Sequence, residues 1–168
     1  QVREYASFFK ARLVGCEESF VNDTGVQVGV RQTRQIRGVT TLNNEDVVAG
    51  AKSKHAIARS AWPIELHSGE KPQLKWLLDD YYDISYESFV PVAGEGFLVA
   101  GRCLSAEHEA MASARVTAQC FSYGQAIGMA AAMSLRDWTS PRNLSRSTPP
   151  APLPTDARVH EANTQIGA

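Results

Sequence analysis

Chemistry-capable side chains gather in one short stretch, where Gly101-Arg102-Cys103 is followed by Ser105 and His108. Histidine titrates near neutrality, and serine and cysteine can act as nucleophiles, so acid–base and covalent chemistry are the first options. Spacing removes the common versions of both. Ser105 and His108 belong to no G-x-S-x-G elbow and have no evident oxyanion arrangement, which argues against a serine hydrolase. Cys103, His108 and Cys120 lack the spacing of a zinc site, and no metal is expected. The three cysteines, Cys16, Cys103 and Cys120, are odd in number and form no C-x-x-C pair, so neither a disulfide framework nor a dithiol redox centre is expected. Cys103 beside Arg102 has two readings, a thiol of lowered pKa or a small packed side chain. Asp79-Asp80-Tyr81-Tyr82-Asp83 reads as an acidic surface turn.

These residues need elements to hold them. Val2, Tyr5, Ala6, Phe9 and Leu13 recur at helical spacing and predict an amphipathic helix over residues 2–14 that ends near Gly15. Val26-Gln27-Val28-Gly29-Val30 alternates with period two, and the phase continues through Ile36 to Leu42, which predicts one long strand or two joined at a bulge. In that phase Arg34 shares the face of Val28, Val30 and Ile36, where a charge needs a partner, whereas Arg31 and Arg37 lie on the other. Asn43-Asn44-Glu45-Asp46 predicts a capped helix start with acidic residues in its first turn. Pro63 makes Trp62-Pro63-Ile64-Glu65-Leu66-His67 an edge or a loop, and Ile84 to Val90 predicts another strand. Phe97 to Ala100, apolar and bounded by glycines, predicts a strand buried on both faces of a parallel sheet. A helix is expected from about Ser113, and its Gly124 and Gly128 cost about 1 kcal/mol each relative to alanine, which close packing on a sheet or cofactor would offset.

Composition sets the wider bounds. With 17 basic and 18 acidic residues the net charge is −1, so no whole-molecule field favours nucleic acid. The 168 residues suffice for one core, and 43% apolar content excludes general disorder. No apolar run reaches the ~18 residues of a spanning helix and no secretory pattern opens the chain, so no membrane is expected and the localisation reads as cytoplasmic. All fourteen aromatic residues precede Thr139 and five of eight prolines follow it, so residues 139 to about 154 are expected to form an extended linker. A short helix is expected over residues 155–166. The absence of methionine at Gln1 suggests a processed piece or fragment.

Three ordered segments resemble a family. Gly29-Val30-Arg31-Gln32-Thr33-Arg34-Gln35-Ile36-Arg37-Gly38 with Leu42 and Glu45-Asp46-Val47 is the first, and Trp62 to His67 the second. Leu98 to Ser105 with His108, Ser113, Arg115-Val116, Gly124-Gln125-Ala126 and Gly128 to Ala131 is the third. Together they resemble FAD-dependent oxidoreductases of the glutathione reductase structural class. The resemblance implies an α/β fold, the C-terminal part of a two-domain, three-layer Rossmann-like flavoprotein with a mixed α+β substrate domain. Residues 1–93 would belong to the substrate domain, 94–138 to the returning strand and last helix of the FAD domain, and 139–168 to a linker and terminal helix. FAD would be the cofactor, and a small organic molecule the substrate.

The same resemblance implies flavin contacts from Gly101, Arg102, Ser105 and the backbone of Ser113, Ala114, Arg115 and Val116. Arg115 has two readings, a cation beside the flavin or a surface partner of Glu107 or Glu109. His108 would be the catalytic proton carrier, or else a histidine that bonds a loop backbone. His67 and Arg34 are candidates for the substrate wall, with structural roles as the alternative. The 168 residues hold no G-x-G-x-x-G, so an N-terminal FAD-binding segment, on the same gene or a separate chain, is the expected partner, and a homo-oligomer stays open. The rival reading is a non-catalytic α/β interaction module that has lost its cofactor.

Overall fold

A computed structural model of the chain describes residues 1–66 and 73–147, which divide into two compact units, Gln1–Val30 and Arg31 onward. His67 and the helix expected over residues 155–166 lie outside the described residues.

In the first unit the predicted helix is α1, Val2–Arg12, with Leu13 extended at its end and Gly15 at φ +87°. Its apolar residues bury nothing completely. Tyr5 and Phe9 stack, and with Val2, Ala6, Phe20 and Val21 they line an open apolar hollow. Residues 26–30 form no strand, and Val26 and Val28 are exposed. Period-two alternation describes a face but supplies no neighbour, and a strand exists only where a second backbone completes its ladder.

The second unit mixes helix and strand. Its core begins with β1, Ala56–Ser60, and β4, Tyr82–Ser85, antiparallel with Ser60 opposite Tyr82 and Ala58 opposite Ile84. Ile57, Ala58, Tyr82 and Ile84 are buried there. The expected strand from Ile84 to Val90 is therefore shifted: the chain leaves β4 at Ser85 and makes a 3-10 turn over Tyr86–Phe89. The expected surface turn also needs correction, because Tyr82 and Asp83 belong to β4. The Asp83 side chain is buried, accepts from the Ser53 N–H at 2.9 Å and lies 3.5 Å from Arg59. Between them, β2, Ile64–Leu66, pairs with β3, Gln73–Lys75, in a second two-stranded sheet, so the segment after Pro63 is an edge as expected.

Asn43 caps the short helix α2, Asn44–Val48, its side-chain oxygen accepting from the Asp46 N–H at 2.7 Å. Residues 31–42 form no strand; single bridges join Gly38 to Pro91 and Leu42 to Ala106. Phe97–Ala100 is no strand either, and no parallel sheet occurs among the described residues. Phe97 is half-exposed, and only the Val99 N–H reaches a neighbouring backbone, the Phe89 carbonyl at 3.1 Å. A strand buried on both faces needs a neighbour on each edge, and the described residues provide no ladder on either.

Two helices follow, α3 at His108–Ala114 and α4 at Thr117–Arg136, interrupted at Arg115-Val116. Tyr123, Ala126, Ile127, Ala130 and Ser134 form the buried stripe of α4, and Tyr123 packs on Phe89 with ring centroids 5.1 Å apart. Gly124 and Gly128 face away from it. A Cβ at either would meet nothing within 4 Å, so close packing of these glycines is not a feature of this chain's own core. Residues 139–147 are not an extended linker but contain α5, Pro141–Ser147. Proline is well placed in a helix's first turn, the Ser140 hydroxyl accepts from the Asn143 N–H, and Leu144 is buried.

Gly38 marks a tight crossing of two backbone segments. A Cβ there would stand 2.7 Å from Ser105 Cβ and 2.9 Å from the Thr40 carbonyl, neither of which can swing aside. Gly38→Ala is expected to destabilise the chain by about 1–3 kcal/mol, read from the urea midpoint; an unchanged midpoint would show the crossing to be loose. The core phenols set a second expectation. Burial pushes up the phenols of Tyr82, Tyr86 and Tyr123, with Tyr86 reaching about 12 as the Glu87 carboxylate adds to it. For Tyr86 the unfolded value is 10.0, so its contribution is full below that pH and is lost as pH rises through about 12. Alkaline titration should therefore show these phenolates appearing together with loss of helical signal, and phenolate formation at Tyr86 near pH 10 in an intact fold would contradict it.

Candidate functional site

The stretch from Gly94 to Glu107 is irregular, yet several of its backbone groups are tied to other segments. The Cys103 carbonyl accepts from the Ile36 N–H at 3.0 Å, the Ser105 N–H donates to the Ser88 carbonyl at 2.8 Å, and the Ser105 carbonyl accepts from Leu42 N–H at 3.0 Å. Glu107 N–H donates to the Leu42 carbonyl at 2.8 Å. Residues 36–42 thus act as a rail along which the loop is laid. Gly101 supplies the turn, with φ +78°, a region that side chains other than glycine's enter at a cost. Arg102 is exposed beside it. Cys103 is half-buried and donates its thiol to the Ala100 carbonyl, in keeping with a packed side chain.

Ser105 is buried, and its hydroxyl bonds Thr41 Oγ1 at 2.9 Å. The start of α3 is capped from across the fold. Asn44 Oδ1 accepts from the Ala110 N–H at 2.9 Å, while Glu107 Oε2 accepts from the Asn44 N–H at 2.8 Å. Each short helix therefore satisfies orphan donors of the other. His108 occupies the first turn of α3 and is exposed.

At the other end of α3, Ser113 and Ala114 are buried and their polar atoms have protein partners. Ser113 Oγ donates to the Trp62 carbonyl at 2.6 Å and bonds the Tyr82 hydroxyl at 2.7 Å; Ala114's carbonyl accepts from the Tyr123 hydroxyl at 3.0 Å. Arg115 and Val116 form the interruption. Val116 is extended and gives α4 no side-chain cap, so among the described residues the helix starts without a capping side chain at its N-cap position.

Arg115 is half-buried, and its Nε is buried without a hydrogen-bond partner. Burial lowers its pKa, Arg31 and Arg102 lower it further, and the Glu65 carboxylate opposes them. The two carboxylates of the surface-pair reading have other partners: Glu109 pairs with Lys75 at 2.8 Å and Glu107 accepts from the Asn44 N–H. Three guanidiniums, Arg31, Arg102 and Arg115, and the Glu65 carboxylate therefore lie near one another. Arg34 does not join them in that description; it is exposed on irregular backbone rather than on an apolar strand face. The residues that spacing did not single out are Ser60, Tyr82, Gln119 and Tyr123, which hold the interruption in place. Their signal was present in part, since Tyr82-x-Ile84-x-Tyr86 alternates, but the flanking aspartates masked it.

The uncapped N-terminus of a 20-residue helix, a partly desolvated arginine beside it and a glycine turn form an electropositive pole suited to an anion or a polarised carbonyl. Residues 1–151 match the family model described as FAD dependent oxidoreductase, and the chain belongs to that family. No curated protein and no solved structure matches it. Dependence on FAD and a general oxidoreductase role follow from that membership.

Cross-capping makes a local prediction. Asn44→Ala would strand the Ala110 N–H and is expected to cost about 1–2 kcal/mol, with faster amide exchange over residues 107–111. Exchange protection unchanged over those residues would show that Asn44 does not hold α3.

Proposed function

We propose that this chain forms the C-terminal part of an FAD-dependent oxidoreductase of the glutathione reductase structural class. It completes the flavin site and lines one side of a pocket for a small organic substrate. Residues 1–93 contribute to the substrate domain and residues 94–138 to the FAD domain. The carrying observation is the interruption at Arg115-Val116, where an uncapped helix N-terminus and a partly buried guanidinium coincide. Family membership supports FAD as the ligand of that pole.

Flavin, when bound, exchanges hydride at N5 and on reduction carries negative charge at N1 and O2. The N–H groups at the start of α4 and the Arg115 guanidinium favour that charge, and they do so with little reorganisation because both are fixed by the fold. Gly101 keeps the loop backbone clear of side-chain bulk, and Arg102 adds positive potential. His108, exposed at the start of α3, is the group in this reading that takes a proton from the substrate; Arg34 and His67 belong to the substrate wall.

A G-x-G-x-x-G segment supplied by the same gene or a separate chain grips the ADP half. The exposed apolar surfaces support such a partner: Tyr5, Phe8 and Phe20 in the first unit, and Phe121 and Leu135 on the outer side of α4. The reading places the enzyme in the cytoplasm; among the described residues no helix is long and apolar enough to cross a membrane.

Expression together with the G-x-G-x-x-G segment should yield a yellow protein with flavin absorbance. A colourless, folded complex would overturn the proposal in favour of an interaction module. In the assembled enzyme, Arg115→Ala is expected to slow flavin reduction about tenfold or more, equivalent to about 1.4 kcal/mol of barrier. Its melting temperature should hold or rise, because the substitution removes a desolvated cation flanked by two others. An unaltered reduction rate would remove Arg115 from the site.

A further inference from the structure

Four buried or half-buried polar side chains form two hydrogen-bonded runs around the α3–α4 interruption. Ser113 Oγ has a single proton, and it is donated to the Trp62 carbonyl at 2.6 Å, which can only accept. In the 2.7 Å contact between Tyr82 and Ser113, the phenol must then be the donor. Ser60, the cross-strand neighbour of Tyr82, accepts from Gln119 Nε2 at 3.1 Å and from the Trp62 N–H at 3.3 Å. Two short runs result, Tyr82 to Ser113 to the Trp62 carbonyl and Gln119 to Ser60, and Ser60 and Tyr82 stand opposite each other across the β1–β4 pair.

These bonds tie both sides of the interruption to one sheet. Ser113 fixes the last turn of α3 to β4, and Gln119 fixes the first turn of α4 to β1. A second bond closes the angle between the helices: Tyr123, two turns into α4, donates to the carbonyl of Ala114 at 3.0 Å. Tyr82 and Tyr123 are both fully buried, so water cannot replace these bonds.

We infer that Tyr82 and Tyr123 are positioning residues of the oxidoreductase, setting the orientation in which the start of α4 and Arg115 face the flavin. The inference rests on the proposed flavin site. Neither phenol touches the cofactor; they act through Ser113, Ala114 and the backbone of Val116. Removing one hydroxyl leaves the aromatic packing intact while releasing the angle between α3 and α4.

The test uses the complete enzyme with its bound FAD, and reads the flavin potential beside thermal stability. Tyr82→Phe and Tyr123→Phe should each retain flavin and lose roughly tenfold in preference for its reduced form, a shift of about 30 mV to more negative potential for a two-electron couple. Tyr86→Phe is the control, since that buried phenol donates to the Pro141 carbonyl at 2.9 Å, away from the interruption. It should lower the melting temperature like the others and leave the potential unchanged. Flavin bound with the same potential in all variants, or an equal shift in the control, would overturn the inference while the flavin site stands. A wild-type enzyme without flavin would overturn the site itself and the inference with it. Should Tyr123→Phe fail to fold, Gln119→Leu, at a half-exposed position, carries the same expectation, and an unshifted potential there would be equally decisive.

Discussion

The bond between the Ser113 hydroxyl and the Trp62 carbonyl is the constraint on which most of the second unit depends. It spends the only proton that Ser113 has, and so makes the Tyr82 hydroxyl the donor in the bond between them. Through it the β1–β4 sheet, the segment before β2 and the end of α3 are fixed to one another. Inside a core these bonds are strong because no water competes, and for the same reason each is costly to lose. The hydroxyls therefore choose one packing of helix on sheet from several that apolar burial alone would tolerate.

That rigidity has a counterpart in surfaces the chain does not bury. All of α1 lies in a unit of thirty residues without one completely buried side chain, and an eleven-residue helix is marginal on its own. On α4 the outer side carries Phe121, Gly124, Gly128 and Leu135, apolar or small and away from the buried stripe. Glycines in an exposed helix interior lower its stability and return nothing within this chain. In the proposed enzyme these faces meet the rest of the protein, which accounts for residues whose local cost is otherwise unrepaid.

Local signals in the sequence translated well and non-local ones did not. The Asn43 cap, the spacing of Val2, Tyr5 and Phe9, and the edge imposed by Pro63 each depend on a few neighbouring residues, and each has its structural counterpart. The alternation from Val26 to Leu42 and the apolar run from Phe97 to Ala100 have none, because a strand's existence is decided by a second backbone that the pattern does not contain. Pro141 was misjudged for a different reason: as one of five prolines it suggests an extended chain, whereas as the residue after Ser140 it starts a helix. In the candidate site, the glycine turn and Arg115 could be picked out from motif order. The hydroxyl bonds could not, since serine and tyrosine show their partners only once β1, β4 and α4 are assembled.

The placement of Arg115 shows which requirement prevailed in this region. A guanidinium gains most stability at the surface, hydrated and beside a carboxylate, and Glu107 and Glu109 stand eight and six residues earlier in the sequence. Both are engaged elsewhere, and Arg115 is instead half-buried near Arg31 and Arg102 with Glu65 as the opposing charge. Its charge persists, because arginine does not lose its proton in proteins. What burial and like charge raise is therefore the local positive potential rather than the neutral fraction. Such an arrangement works against folding stability; under the proposed function it favours negative charge at the start of α4, the trade expected where preorganised electrostatics, and not stability, sets the sequence.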